Sequence, residues 1–185
     1  MLINPNLCNI IGIDPGNNFG ISILTIDSIT KEIVSVNTEF YVLDHYISPY
    51  TNDKVITKLE YINKIVQYLI DTYEPASIAF ETAFMNIRFP KAVINLSQYV
   101  GTLENSIINK NCFISIFKYA PKYIKSIVST GDANKNDMLQ AIKSIPELSD
   151  KIDTTLLTEH EIDAIAIAYT MLKEIRLYPL ILCSI

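Results

Sequence analysis

The sequence predicts an α/β fold, a mixed five-stranded sheet flanked by helices. Three observations carry this expectation. Short runs rich in β-branched residues (Ile10–Ile13, Ile21–Ile26, Ile33–Val42, Ser77–Phe80 and Cys112–Phe117) are bounded by turn residues and read as strands. Longer segments after the third, fourth and fifth of them carry apolar residues at helical spacing. The resulting order of strand, hairpin, helix, strand, helix, strand and helices is that of a mixed sheet covered by helices.

The first strand lies in NIIGIDPGNNFG, where an apolar run drives into Asp14 and breaks at Pro15-Gly16. A central strand gains nothing from ending on a carboxylate. Either Asp14 braces the following turn, or the strand holds that carboxylate at a sheet edge where chemistry needs it. Ile21–Ile26 and Ile33–Val42 complete a three-stranded meander. From Val55 onward Leu59, Ile62, Val66, Leu69 and Tyr73 recur at helical spacing, and Pro75 ends the pattern. The next strand, in SIAFE, closes on Glu81. Pro90 opens a helix containing Leu96, Val100, Leu103 and Ile107. Pro121 opens a short helix to about Ser129, and GDANKND reads as a loop before a helix that ends near Pro146.

The last helix has the clearest start. TEHE, Thr158 to Glu161, fits a capping box, with Thr158 as N-cap and Glu161 reaching back. Ile162, Ile165, Ala166, Tyr169 and Leu172 give it an apolar face, and Ala164, Ala166 and Ala168 let it lie close against a sheet. His160 and Asp163 are three apart and project from one side of its first turn, with Glu159 one turn before Asp163.

Bulk properties narrow the class. With 185 residues and 49% apolar content, one domain spanning 1–185 is expected, with material for a core. The three cysteines (Cys8, Cys112, Cys183) are odd in number and lack metal-ligand spacing. That fits a reducing compartment and argues against a disulfide framework or a zinc site. No charged region precedes the first apolar stretch, so no signal peptide is read. LYPLILCSI at the end is too short to span a bilayer and is expected to pack on the domain or a partner. A cytoplasmic protein without a membrane partner is the expectation. The net charge is −5, yet from Phe84 to Lys143 eight basic residues stand against three acidic ones. Such a segment suits a local phosphate-binding face or, equally, solvated helix surfaces.

Asp14, Glu81, Asp163 and His160 thus sit at two strand ends and a helix start that one sheet could bring together. Hard cations such as Mg²⁺ want carboxylate oxygens and keep several waters. Two such ions about 3.5–4 Å apart activate water and stabilise the leaving oxygen of a phosphodiester. Each residue also has an ordinary role: a turn for Asp14, a solvated strand end for Glu81, an exposed first-turn position for His160, the helix dipole for Asp163. GNNFG lacks the lysine and spacing of a phosphate loop, so no nucleotide cofactor is expected. A sugar-kinase-type ATPase would also need a second lobe.

IIGIDPGNNFGISIL, SIAFETAF, YAPKYIKSIVSTGDANKNDM and HEIDAIAIA together resemble the RuvC family of Holliday junction resolvases, in the RNase H-like nuclease superfamily. The resemblance covers most of the chain, with 26–73 matching in element order more than in residues. It implies an RNase H-like fold and metal-binding roles for Asp14, Glu81 and Asp163. His160 falls where many members carry a fourth carboxylate and some a histidine; it suits Mn²⁺ better than Mg²⁺, or orients or protonates a transferring oxygen. Glu159 and Glu161 are alternative ligands, Glu161 being already used by the capping box. Phe84 matches an aromatic set against junction bases, its ordinary role being core packing. Lys125 and Lys135 match basic positions facing phosphate, Lys135 near the reacting group; Lys118 and Lys122 are added from charge alone. The implied reaction is symmetric hydrolysis of a four-way DNA junction by a homodimer with Mg²⁺ (Mn²⁺ able to substitute), two ions per site and no covalent intermediate. The alternatives are a sister nuclease acting on flap or other branched DNA, and a non-catalytic junction-binding module.

Overall fold

The computed structural model describes residues 6–82 and 90–178. Five strands, β1 (Leu7–Asp14), β2 (Asn18–Asp27), β3 (Ile33–Val42), β4 (Ser77–Glu81) and β5 (Ser115–Tyr119), form one sheet in the order β3-β2-β1-β4-β5. β1, β2 and β3 are the expected antiparallel meander, whereas β4 and β5 run parallel to β1 and to each other. The sheet is therefore mixed, and β1, β4 and β5 all end at the same side.

Helices cover both faces. α1 (Lys54–Tyr73) and α2 (Pro90–Lys110) pack on one, over Ile11, Ile13, Ile21, Ile23, Ile78 and Phe80. The other face carries α3 (Pro121–Val128), α4 (Lys135–Ser144), the single turn α5 (Pro146–Ser149) and α6 (Glu159–Leu177), over Ile10, Leu24, Ile26 and Ala79. Alternation along each strand sends successive side chains to these two cores.

α6 lies against β1 and β2 at main-chain distance. A Cβ added to Gly12 would meet the Ala164 carbonyl oxygen at 2.3 Å, and one added to Gly20 would meet the His160 carbonyl oxygen at 2.1 Å. Glycine is needed at both positions because nothing larger fits under the helix. The expected alanine face of α6 is what makes the approach possible, and Ala164, Ala166 and Ala168 are fully buried.

Of the boundaries that differ from the sequence reading, two have a visible local cause. The last strand begins at Ser115 rather than Cys112, because the Asn111 side chain accepts from the Phe113 amide and Ile114 N donates to Asn111 O. That turn leaves Phe113 exposed. GDANKND is only half loop: Asn134 caps α4, and Asp137 returns the bond to the Asn134 amide, a capping box with unusual members. Cys8 and Cys112 are free thiols. Among the described residues no helix is long and apolar enough to cross a membrane. Phe84 and the segment 179–185 lie outside the described residues.

Candidate active site

β1 and β4 are paired parallel with Ile13 opposite Phe80, so the next residues, Asp14 and Glu81, come out together at the same sheet edge. Their side chains share the α6 face, since Gly12 underlies α6 and Ala79 packs in that core. α6 starts over this edge. Its capping box is the expected one: Thr158 Oγ1 accepts from the Glu161 amide while a Glu161 carboxylate oxygen accepts from Thr158 N at 2.8 Å. The other oxygen of Glu161 accepts from Thr38 Oγ1 at 2.7 Å, tying the helix start to β3. Glu161 is buried in this structural task.

With the helix start fixed, His160 and Asp163 point at the strand ends. His160 Nδ1 lies 2.7 Å from Asp14 Oδ2, and its Nε2 lies 3.6 Å from Glu159 Oε1. The imidazole also stacks on Phe40 of β3, centroids 6.1 Å apart at 19°. Phe40 stands opposite Gly20 in the β2–β3 ladder.

The electrostatics fit a confined acidic cluster. Burial, followed by the negative charges of Asp14 and Asp163, pushes the Glu81 carboxyl up to about 7, with Lys125 pulling it back. Asp163 is pushed up to about 6 by burial and then by Asp14, against the opposing pull of His160 and Lys135. The hydrogen bond to Asp14 raises His160 above its ordinary value. Uncompensated carboxylates of this kind are what a bound cation relieves.

The lysines divide. Lys135 at the start of α4 reaches Glu159 at 2.6 Å and contributes positive charge at Asp163. Lys125 donates to the Ala133 carbonyl at 2.7 Å and bears on Glu81. Lys122 is exposed on α3. Lys118 is not brought to the site: its strand partner is Phe80, it shares that residue's face, and it pairs with Glu104 of α2 at 2.6 Å. Phe40 and Thr38 complete the surroundings and are not among the residues singled out from the sequence, whereas Glu159, named there as an alternative ligand, pairs with Lys135. Only the β2–β3 register, a non-local property, would have identified the first two.

The donor set fits a hard divalent cation: Asp14, Glu81 and Asp163 offer carboxylate oxygens and His160 an imidazole nitrogen. Among the described residues no group of three or more such side chains is gathered into a metal-holding cluster, and Asp14 is engaged by His160 instead.

A mixed RNase H-like sheet that presents carboxylates from two parallel strand ends and a docked helix start is the architecture of a metal-dependent nuclease. Residues 10–171 match the family model for crossover junction endodeoxyribonuclease RuvC. The chain belongs to the RuvC family. It is 31% identical over 165 residues to the RuvC of Orientia tsutsugamushi (strain Ikeda), covering 87% of this chain and 92% of that one. It is 30% identical over 139 residues to the RuvC of Finegoldia magna, covering 74% and 77%. Among solved structures, Thermus thermophilus RuvC in complex with Holliday junction substrate superposes with a TM-score of 0.67 at 17% identity, over 92% of this chain and 96% of that one. The yeast mitochondrial Holliday junction resolvase gives 0.63 at 13% identity, over 97% and 85%. These two likenesses carry the fold.

Proposed function

We propose that this protein resolves four-way DNA junctions by paired, symmetric hydrolysis of phosphodiesters, as a homodimer using Mg²⁺, with Mn²⁺ able to substitute and two ions per site. One observation carries the reading: in a chain of the RuvC family, Asp14, Glu81 and Asp163 converge from β1, β4 and α6 at one sheet edge.

Asp14, Glu81 and Asp163 are the residues that would hold the ions, with His160 as the fourth donor. Bound metal would supply an activated water and neutralise charge on the phosphate and leaving oxygen. The chain's own groups do the rest. Asp14 and Phe40 fix the plane of the His160 ring, which would hold or pass a proton at the reacting centre. Lys125 and Lys135 supply positive charge beside the carboxylates and bind the phosphate backbone.

The dimer is proposed to form through α2. Its open face, Ile94, Gln98, Gly101, Asn105 and Ile108, is exposed and carries no charge. A Cβ on Gly101 would meet nothing within 4 Å. Glycine in a helix interior costs about 1 kcal/mol relative to alanine, and no contact among the described residues requires it here. A second helix crossing closely at that point accounts for it. Gly101→Arg is expected to give monomers in sedimentation; an unchanged mass removes α2 from the interface.

The deciding experiment is cleavage of an immobile four-way junction, with duplex and flap controls, in Mg²⁺ or Mn²⁺, for the wild type and Asp14→Asn. Paired symmetric nicks, lost by at least about a hundredfold in the variant while binding persists, support the reading. Preferential flap cutting reassigns the protein to a sister nuclease, and binding without any cut makes it a junction-binding module.

A further inference from the structure

Glu159 and Lys135 are the first helical residues of α6 and α4, and each helix start is fixed by its own capping box. The two side chains meet across the entrance to the carboxylate cluster at 2.6 Å. The other Glu159 oxygen faces His160 Nε2 at 3.6 Å. The Glu159 carboxylate is thus an anion held between a lysine and an imidazole, at a helix N-terminus that favours negative charge. Both partners are open to solvent, 72% for the Lys135 side chain and 49% for Glu159. An exposed pair of this kind is weak and exchangeable.

We propose that Glu159 is a built-in substitute for a nucleic-acid phosphate, occupying Lys135 in the free protein and yielding it when DNA enters. This rests on the reading of the site as one that receives a phosphodiester. In the free state the carboxylate keeps the ammonium over the site and cancels its field. A phosphate oxygen, equally anionic and reinforced by its neighbours along the strand, displaces the carboxylate and takes the same lysine. Glu159 therefore sets a threshold. A lone anion gains little at Lys135, whereas a backbone that also contacts other basic groups gains enough to exchange.

The test measures binding of a labelled four-way junction, and of a duplex of equal length, in EDTA so that no cleavage intervenes. Wild type, Glu159→Gln, Lys135→Met and the double variant form a cycle, with melting temperatures as a check on folding. Glu159→Ser, equally acceptable in a first helical turn, repeats the measurement with a different side chain. Glu159→Gln is expected to tighten binding by up to about fivefold at low salt, the upper range for an exposed pair. The slope of log affinity against log salt should stay within about 0.9, the worth of one phosphate contact, of the wild type, because Lys135 takes a phosphate in both proteins. The tightening should vanish in the Lys135→Met background. Equal tightening in the two backgrounds reduces Glu159 to one more surface charge and overturns the proposal, as does no tightening at all. Equal affinity of wild type for junction and duplex would reject the junction reading instead. The Lys135–Glu159 coupling remains decisive in that case, since both nucleic acids carry phosphates.

Discussion

His160 Nδ1 sits 2.7 Å from Asp14 Oδ2, joining residues 146 positions apart at the mouth of the site. The imidazole is held as a donor on this side, with Glu159 facing its other nitrogen. The chain has two histidines, His45 and His160, so their ring signals are separable by a single substitution. In an NMR titration without metal, the His160 ring should titrate above its ordinary 6.5, and Asp14→Asn should bring it down. A His160 that is unmoved by Asp14→Asn means that the contact is not maintained in solution.

Between about pH 5 and pH 8, metal-free stability should fall as pH rises. Glu81 goes from an ordinary 4.5 to about 7 and Asp163 from 3.8 to about 6 on folding, and His160 is raised as well. A raised group favours its proton in the folded state. Its contribution is therefore complete below the unfolded value and lost as pH passes through the folded one. Glu60, held down to about 2 by Ser48, Lys64 and Tyr46, acts in the opposite sense, and only below its ordinary 4.5. Between about pH 5 and pH 8 the site carboxyls therefore dominate. One pKa unit corresponds to about 1.4 kcal/mol, and each kcal/mol moves the melting temperature by about 2–4 °C in a domain of this size. Melting in EDTA should occur several degrees lower at pH 8 than at pH 5, with Mg²⁺ restoring the difference. Equal melting at the two pH values would show the cluster to be fully solvated.

Gly20→Ala should damage activity more than stability. Its Cβ would fall 2.1 Å from the His160 carbonyl oxygen, so the start of α6 must lift. Overpacking of this kind costs about 1–3 kcal/mol. The displacement falls on His160 and Asp163, and cleavage should drop by about ten- to a hundredfold, as when a metal ligand loses its support. Retained cleavage at a reduced melting temperature would show that the helix start tolerates the shift.

Lys125→Met and Lys118→Met should separate cleanly. Lys125 bears on Glu81, and removing its charge from the reacting centre should lower cleavage by about a hundredfold. Lys118 is bonded to Glu104 behind the sheet, and its loss should change cleavage by less than about twofold. Comparable losses in both would place DNA on the α2 face as well.

The parts of the site that were legible in the sequence are those with local causes. Asp14 and Glu81 each end an apolar strand run, and Thr158 with Glu161 announces the helix that brings His160 and Asp163. The rest depends on pairing across the sheet. The β4–β5 register puts Lys118 opposite Phe80 and Tyr119 opposite Glu81, so a lysine three residues before a proline-led helix faces away from the site. Counting alternation outward from Glu81 would have shown this once the register was known. Phe40 reaches His160 because Gly20 is its partner in β2, a relationship invisible to local pattern. The α4 capping box was hidden because Asn134 and Asp137 sit in a polar, glycine-containing stretch that reads equally well as a turn.

The glycine contacts beneath α6 also bear on ionic radius. Asp14 shares its strand with Gly12, and Asp163 sits one residue from Ala164, whose carbonyl abuts that glycine. The backbones carrying these two carboxylates are packed directly on one another. If, as proposed, they hold the metal, adjustment between a smaller and a larger ion would fall to side-chain torsions, to Glu81 on the neighbouring strand, or to the His160 ring turning away from Asp14. Discrimination between metals would then be governed by rotamers around a main-chain frame of fixed gauge.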